Sequence, residues 1–219
     1  MLKGKARLIA PLAAFAWLVL ATGQASAGFS PGIKVKDDFF SPGFFGTTVT
    51  QVGPNTGWLW NEGGTTTNLH NIREDHKLFY SGNPVNTGEF DVQISAGTFH
   101  YYCELDGSRT GGMDGGIAVK PISTSSAPVA GTDQFNVTWA FGASTGDRFD
   151  VQYRINGGDW IVWKNRTDTF DASFGHNDNP VDVQNGNTYS FRARSEKSSN
   201  PVVRRSGWSP RLNVAIPVP

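Results

Sequence analysis

The sequence contains a single cysteine, so no disulfide can form within the chain. Charge is sparse and balanced: 17% of residues are charged, with 19 basic against 19 acidic. A formal net charge of zero excludes a broadly basic binder of nucleic acid or acidic lipid. There is no sustained stripe of apolar residues at helical spacing, which excludes a helical bundle or coiled coil. There is no Gly-x-Ser-x-Gly elbow, Walker loop or His-Glu-x-x-His, so the chain is expected not to be an enzyme of those kinds. What is present is 26 glycines, seven tryptophans and 12% aromatic residues, the composition of short strands joined by many turns. A length of 219 residues allows one large domain or two small ones.

The first residues read as an address. Lys3, Lys5 and Arg7 precede an apolar run from Leu8 to about Ala21, and Ala25-Ser26-Ala27 supplies small residues for cleavage before Gly28. This is the pattern of a secretory signal peptide over residues 1–27. The run is shorter than the roughly 20 residues a membrane helix needs. The expected protein is exported, secreted or held in a cell envelope, with no membrane span after cleavage. Three basic residues leave with that segment, and 16 basic then face 19 acidic ones.

The rest divides in two. Residues 122–126 include Ser123 to Ser126, a small polar stretch that runs on to Pro128, and read as a linker between residues 28–121 and 127–219. The first part carries 6 basic and 10 acidic residues, the second 10 and 9 when counted from Ile122. Both parts alternate apolar and polar residues, as in Ile33–Lys36, Val49–Val52, Trp58–Trp60, Phe90–Ile94, Val137–Trp139, Phe149–Ile155 and Tyr189–Ala193. Such alternation marks half-buried strands. Asn156-Gly157 between two strand patterns marks a hairpin, because both residues tolerate positive φ. The predicted fold class is all-β, with two β-sandwich or small Greek-key barrel domains.

The most informative residues lie between His70 and Met113. His70 follows the strand Trp58–Trp60; Tyr101-Tyr102-Cys103 comes about 30 residues later, then Asp106-Gly107 and Gly111-Gly112-Met113. Residues 30–120 resemble the cupredoxin (plastocyanin- and azurin-like) family on these motifs. That resemblance implies a Greek-key barrel holding a type-1 copper between an upstream His, a Cys at a strand end, a His in the next loop and a Met. It assigns His70, Cys103 and Met113 as metal ligands, with copper as the cofactor. The position three after the Cys, usually His in the family, is Asp106 here. Thiolate and thioether suit Cu(I) and imidazole suits Cu(II), so the usual set is a compromise between the two states. A carboxylate is hard and anionic, favours a divalent ion, and would lower the reduction potential. Asp106 reads equally as the fourth ligand or as a turn residue before Gly107. His76 and, more weakly, His100 are the candidate replacements for the missing imidazole. Multicopper oxidase chemistry is excluded, since the four histidines form no His-x-His pair.

Residues 127–216 resemble a fibronectin type III module. Trp139 and Tyr153 fall on its second and third strand patterns, Tyr189 stands where the family closes a corner with a tyrosine hydroxyl, and Ser206-Gly207-Trp208 precedes the last strand. Arg192 and Arg194 are expected to stack with Trp208 as a cation–π ladder. Trp160 and Trp163 are weighed as a sugar-binding pair and read chiefly as core.

Two functions follow as expectations. One is an exported copper-binding protein working in electron transfer or copper handling, with a redox or copper-exchange partner. Its second domain would bind a protein or cell-surface ligand. The other is a cupredoxin scaffold without functional copper, acting in adhesion. Neither involves nucleic acid.

Overall fold

The computed structural model describes residues 32–41, 47–53, 55–61, 64–108, 111–123, 135–142, 145–175, 181–199 and 202–218. The expected signal peptide, His176 and most of the expected linker lie outside them. The described chain is all-β, as the alternation predicts. Among the described residues no helix is long and apolar enough to cross a membrane.

The first half pairs two sheets. One has the order β2 (Phe39–Ser41), β1 (Gly32–Lys36), β4 (Thr56–Trp60), β6 (Glu89–Val92). The other has the order β3 (Thr47–Gln51), β8 (Gly111–Lys120), β7 (Gly97–Ser108), β5 (Arg73–Glu74). Two of the pairings, β1 with β4 and β3 with β8, are parallel. Aromatic rings bridge the sheets: Trp58 meets Tyr101 edge-on at 5.2 Å and Phe40 meets Tyr101 at 5.0 Å. The period of two puts Phe99, Tyr101 and Cys103 on the core face of β7, and all three are buried. It also accounts for Val49, which is exposed while Val52 is buried. Three residues apart, the two valines leave an extended chain on opposite faces.

The second half has a sheet of β13 (Asp171–Phe174), β10 (Phe135–Thr138) and β9 (Ile122–Ser123). It faces a larger sheet of β12 (Ile161–Thr167), β11 (Arg148–Ile155), β14 (Thr188–Ser199) and β15 (Val202–Arg205), in which β16 (Leu212–Ala215) also pairs with β14. Ile122 and Ser123, placed by sequence in a linker, are instead strand residues hydrogen-bonded to β10. Asn156 and Gly157 take φ of 48° and 78°, the positive pair that a tight reversal between β11 and β12 needs. Tyr189 closes a corner: its hydroxyl accepts the Gln184 N–H at 3.0 Å and donates to the Asp182 carbonyl at 3.4 Å. Trp163 packs on Trp139, Phe174 and Phe191, which settles it as core.

The halves meet at the foot of β7. Ala96 N–H donates to Trp139 O at 2.7 Å, and Thr98 exchanges two backbone hydrogen bonds with Gly207 at 3.0 and 2.9 Å. Thr98 Oγ1 also donates to Trp208 O at 2.8 Å, and Ser195 Oγ donates to Ala96 O at 3.2 Å. Gly97 permits this approach, since a Cβ there would overlap both Ser206 Oγ and the Phe99 ring.

Candidate metal centre

His70 sits in the chain between β4 and β5, its backbone fixed by reciprocal hydrogen bonds with Val85 at 2.8 and 2.9 Å. Its ring is fully buried. Cys103 lies on β7 where the pairing with β8 breaks: Tyr102 opposes Asp114, and the next matched pair is Gly107 with Gly112. Residues 103–106 therefore bulge opposite Met113 alone. A bulge of this kind bends a strand and re-aims its side chains. Here it turns Cys103 and Asp106 toward His70.

Three donors converge. Asp106 Oδ2 lies 2.9 Å from His70 Nδ1 and 3.4 Å from Cys103 Sγ, and Sγ lies 3.8 Å from Nδ1. The ligand atoms are all within 4.8 Å of one another, and among the described residues this is the group able to hold a metal ion. A point equidistant from the three corners of that triangle lies about 2.0 Å from each, close to metal–nitrogen and metal–oxygen bonds of about 2.0–2.2 Å and metal–sulfur bonds of about 2.3 Å. Imidazole, thiolate and carboxylate form a coherent donor set for a divalent transition ion. The three donor atoms stand at spacings that such an ion can bridge.

Met113 is buried and, by register, stands across from the bulge. The two histidines weighed as substitutes are engaged elsewhere. His76 Nδ1 faces Glu74 at 3.3 Å, and its ring is half exposed. His100 has both nitrogens taken, by Asp114 at 2.8 Å and Asp75 at 3.1 Å. Asp106, in contrast, points into the cluster.

Two supporting residues escaped the sequence reading. Asp37 lies in the turn between β1 and β2, and its Oδ1 is 3.3 Å from His70 Nε2. It accepts the N–H groups of Asn68 at 2.9 Å and Thr67 at 3.1 Å, and these hold its carboxyl down at about 2. Asn71 is buried beside His70 and clamps the other ligand segment. Its Oδ1 accepts Glu104 N–H at 2.9 Å, and its Nδ2 donates to Glu104 Oε2 at 2.7 Å. Glu104 is held further by Tyr80 and Arg73.

Burial pushes the Cys103 thiol up, and the Asp106 carboxylate adds to this. The N–H groups of Asn71, Leu105 and Asp106 oppose the shift by hydrogen-bonding the sulfur. The pocket therefore resists a lone thiolate, and a bound cation would compensate the buried charge.

No family model matches this chain, and no curated protein matches it either.

Proposed function

We propose that this protein is an exported copper-binding protein with a cupredoxin-like first domain and a fibronectin type III-like second domain, working in copper handling. The observation that carries the reading is the placement of Asp106 Oδ2 within 2.9 Å of His70 Nδ1 and 3.4 Å of Cys103 Sγ. His70, Cys103 and Asp106 would hold the ion, with Met113 as a further candidate across the bulge. Copper is favoured among divalent first-row ions because N/O/S sites bind Cu(II) most tightly. When bound, copper would supply a one-electron couple whose divalent state is favoured by two anionic donors.

The chain's own residues support this role in three ways. With a metal at Nδ1, the Nε2 proton of His70 would face Asp37 Oδ1, 3.3 Å away. The N–H groups around Cys103 receive the thiolate when its proton departs. Asn71 ties the His70 segment to the Cys103 segment, so the donors keep their separation. A carboxylate in place of the usual second imidazole suits binding and delivery better than rapid electron exchange. The second domain would carry the partner-binding surface.

The test is a Cu(II) titration of the purified protein with metal analysis and visible absorption, run beside D106H. One copper with weak colour in the native protein, and intense colour in D106H, is the expected result. Absence of binding in the native protein, restored by D106H, would overturn it in favour of a scaffold that has lost its metal.

A further inference from the structure

The second half is nearly neutral in sequence, yet its charges are sorted by face. Residues opposite one another in an antiparallel pair share a side of the sheet. The register between β11 and β14 sets Arg148 against Glu196, Asp150 against Arg194, Gln152 against Arg192 and Arg154 against Ser190. Arg205 joins through its pairing with Glu196. Phe149, Val151, Tyr153, Phe191 and Ala193 take the other side and are buried in the core. Lys164 from β12 lines a groove on the polar side with Asp150, Gln152, Val162, Arg194 and Trp208. Six cations thus share a face with two buried carboxylates and with Asp168, an exposed carboxylate 3.5 Å from Arg148.

Those carboxylates are already engaged. Asp150 takes Arg194 through Nε and Nη2, at 2.9 and 2.7 Å. Glu196 takes Arg205 at 2.8 Å and a further cation, Arg166, at 2.7 Å. Among the described residues, the hydrogen bonds of Arg192 go to a neutral amide, Gln152, at 2.9 and 2.7 Å. Arg154 Nε is buried with no hydrogen-bond partner among the described residues. Burial, together with the Arg154 and Arg194 charges, pulls Arg192 below its ordinary value, as expected for a cation among cations. What keeps these guanidiniums together is aromatic. Trp160 is stacked by Arg154 at 4.6 Å and Arg192 at 4.3 Å, and Trp208 by Arg192 and Arg194 at 4.6 Å each. The expected Arg192–Trp208–Arg194 ladder is therefore two members longer.

This arrangement narrows the ligand. Each indole ring is stacked by two guanidiniums, which leaves little ring surface for a nucleobase or a neutral sugar. A bound peptide strand would use a sheet edge, not the side-chain face of a sheet. Surplus positive charge remains, next to amides able to meet hydroxyl groups. We infer that the outer face of the β12–β11–β14–β15 sheet is a binding site for an anionic polysaccharide, with Lys164 and the Arg154–Arg192–Arg194 stack meeting its carboxylate or sulfate groups.

The test is affinity of the full protein for polygalacturonate (carboxylate) and heparin (sulfate), with dextran, poly-glutamate and duplex DNA alongside. K164E reverses a charge in the groove, and K197E makes the same change on β14 with the opposite parity. Binding to at least one acidic glycan is expected at low salt, weakening about tenfold or more by about 0.3 M salt. K164E should weaken it about tenfold, while K197E stays within about twofold. The two glycans separate carboxylate from sulfate preference. Circular dichroism checks that both variants remain folded, and K164R should restore binding. No binding to either glycan overturns the proposal. So does equal loss in K164E and K197E, which would mean overall charge alone. Equal or tighter binding to dextran, poly-glutamate or DNA overturns it as well.

Discussion

Asp37 Oδ1 lies 3.3 Å from His70 Nε2, on the side of the ring away from the nitrogen that faces Asp106 and Cys103. A carboxylate on the far nitrogen fixes the tautomer and raises the basicity of the near one. D37N keeps the shape but removes the charge and presents one acceptor oxygen where Asp37 uses two. It should weaken Cu(II) binding about 10–100-fold, read by competition with a chelator. Nitrogen chemical shifts of His70 in the metal-free protein should move toward a mixed tautomer. An unchanged tautomer with unchanged affinity would remove Asp37 from the site.

His100 predicts a pH dependence of stability. Burial disfavours its charge, but hydrogen bonds and charge from Asp114 and Asp75 outweigh that and raise its pKa above the ordinary 6.5. A raised histidine stabilises the fold fully below its unfolded value and loses that contribution as pH rises through the folded one. The melting temperature of H100Q should therefore fall furthest below the native protein's near pH 5.5. The gap should narrow by about pH 9. A gap that widens with pH would show that neutral His100 is the stabilising form.

Tyr189 is the simplest probe of the second half. Y189F removes the hydroxyl that accepts Gln184 N–H and donates to Asp182 O, and leaves the ring packed among Phe135 and Phe174. A hydrogen bond of this kind contributes about 0.5–1.5 kcal/mol, a loss that urea unfolding would register. Copper binding at the first half should be unchanged.

Gly97 tests the junction. G97A forces a methyl group against Ser206 Oγ and the Phe99 ring. Overpacking of this kind costs about 1–3 kcal/mol. Thermal denaturation should show the loss, together with faster amide exchange at Thr98 and Gly207. Unaltered exchange at both residues would mean that the contact relaxes freely.

The all-β class was readable because period-two alternation survives in β1, β3, β6 and β16, and the Asn156-Gly157 reversal because positive φ needs such residues. The candidate ligands were readable because Cys103, Asp106 and Met113 lie within one hairpin. Sequence alone could not choose between ligand and turn for Asp106, since a carboxylate three residues past a cysteine suits both. The bulge at residues 103–106 brings the Asp106 carboxylate to the His70 ring, and a bulge is a property of register with the partner strand. Asp37 is 33 residues before His70, so no local spacing could connect them. The basic face stayed hidden for a similar reason. A near-zero sum over residues 122–219 says nothing about sorting between sheet faces, and the register of β11 with β14 performs that sorting.

The hydrogen bonds of Ala96 and Thr98 to the second half have a mechanical consequence. The halves are joined once by the covalent chain and again, far away in sequence, at the start of β7. A single tether permits swivelling, whereas two separated fastenings act as a bracket. From Thr98 to Cys103 is five steps of an extended strand, about 17 Å at roughly 3.3 Å per residue. Force applied to the second half, including any exerted by a ligand it anchors, would reach the Cys103 sulfur along one stiff strand, bypassing the covalent link from β8 to β9.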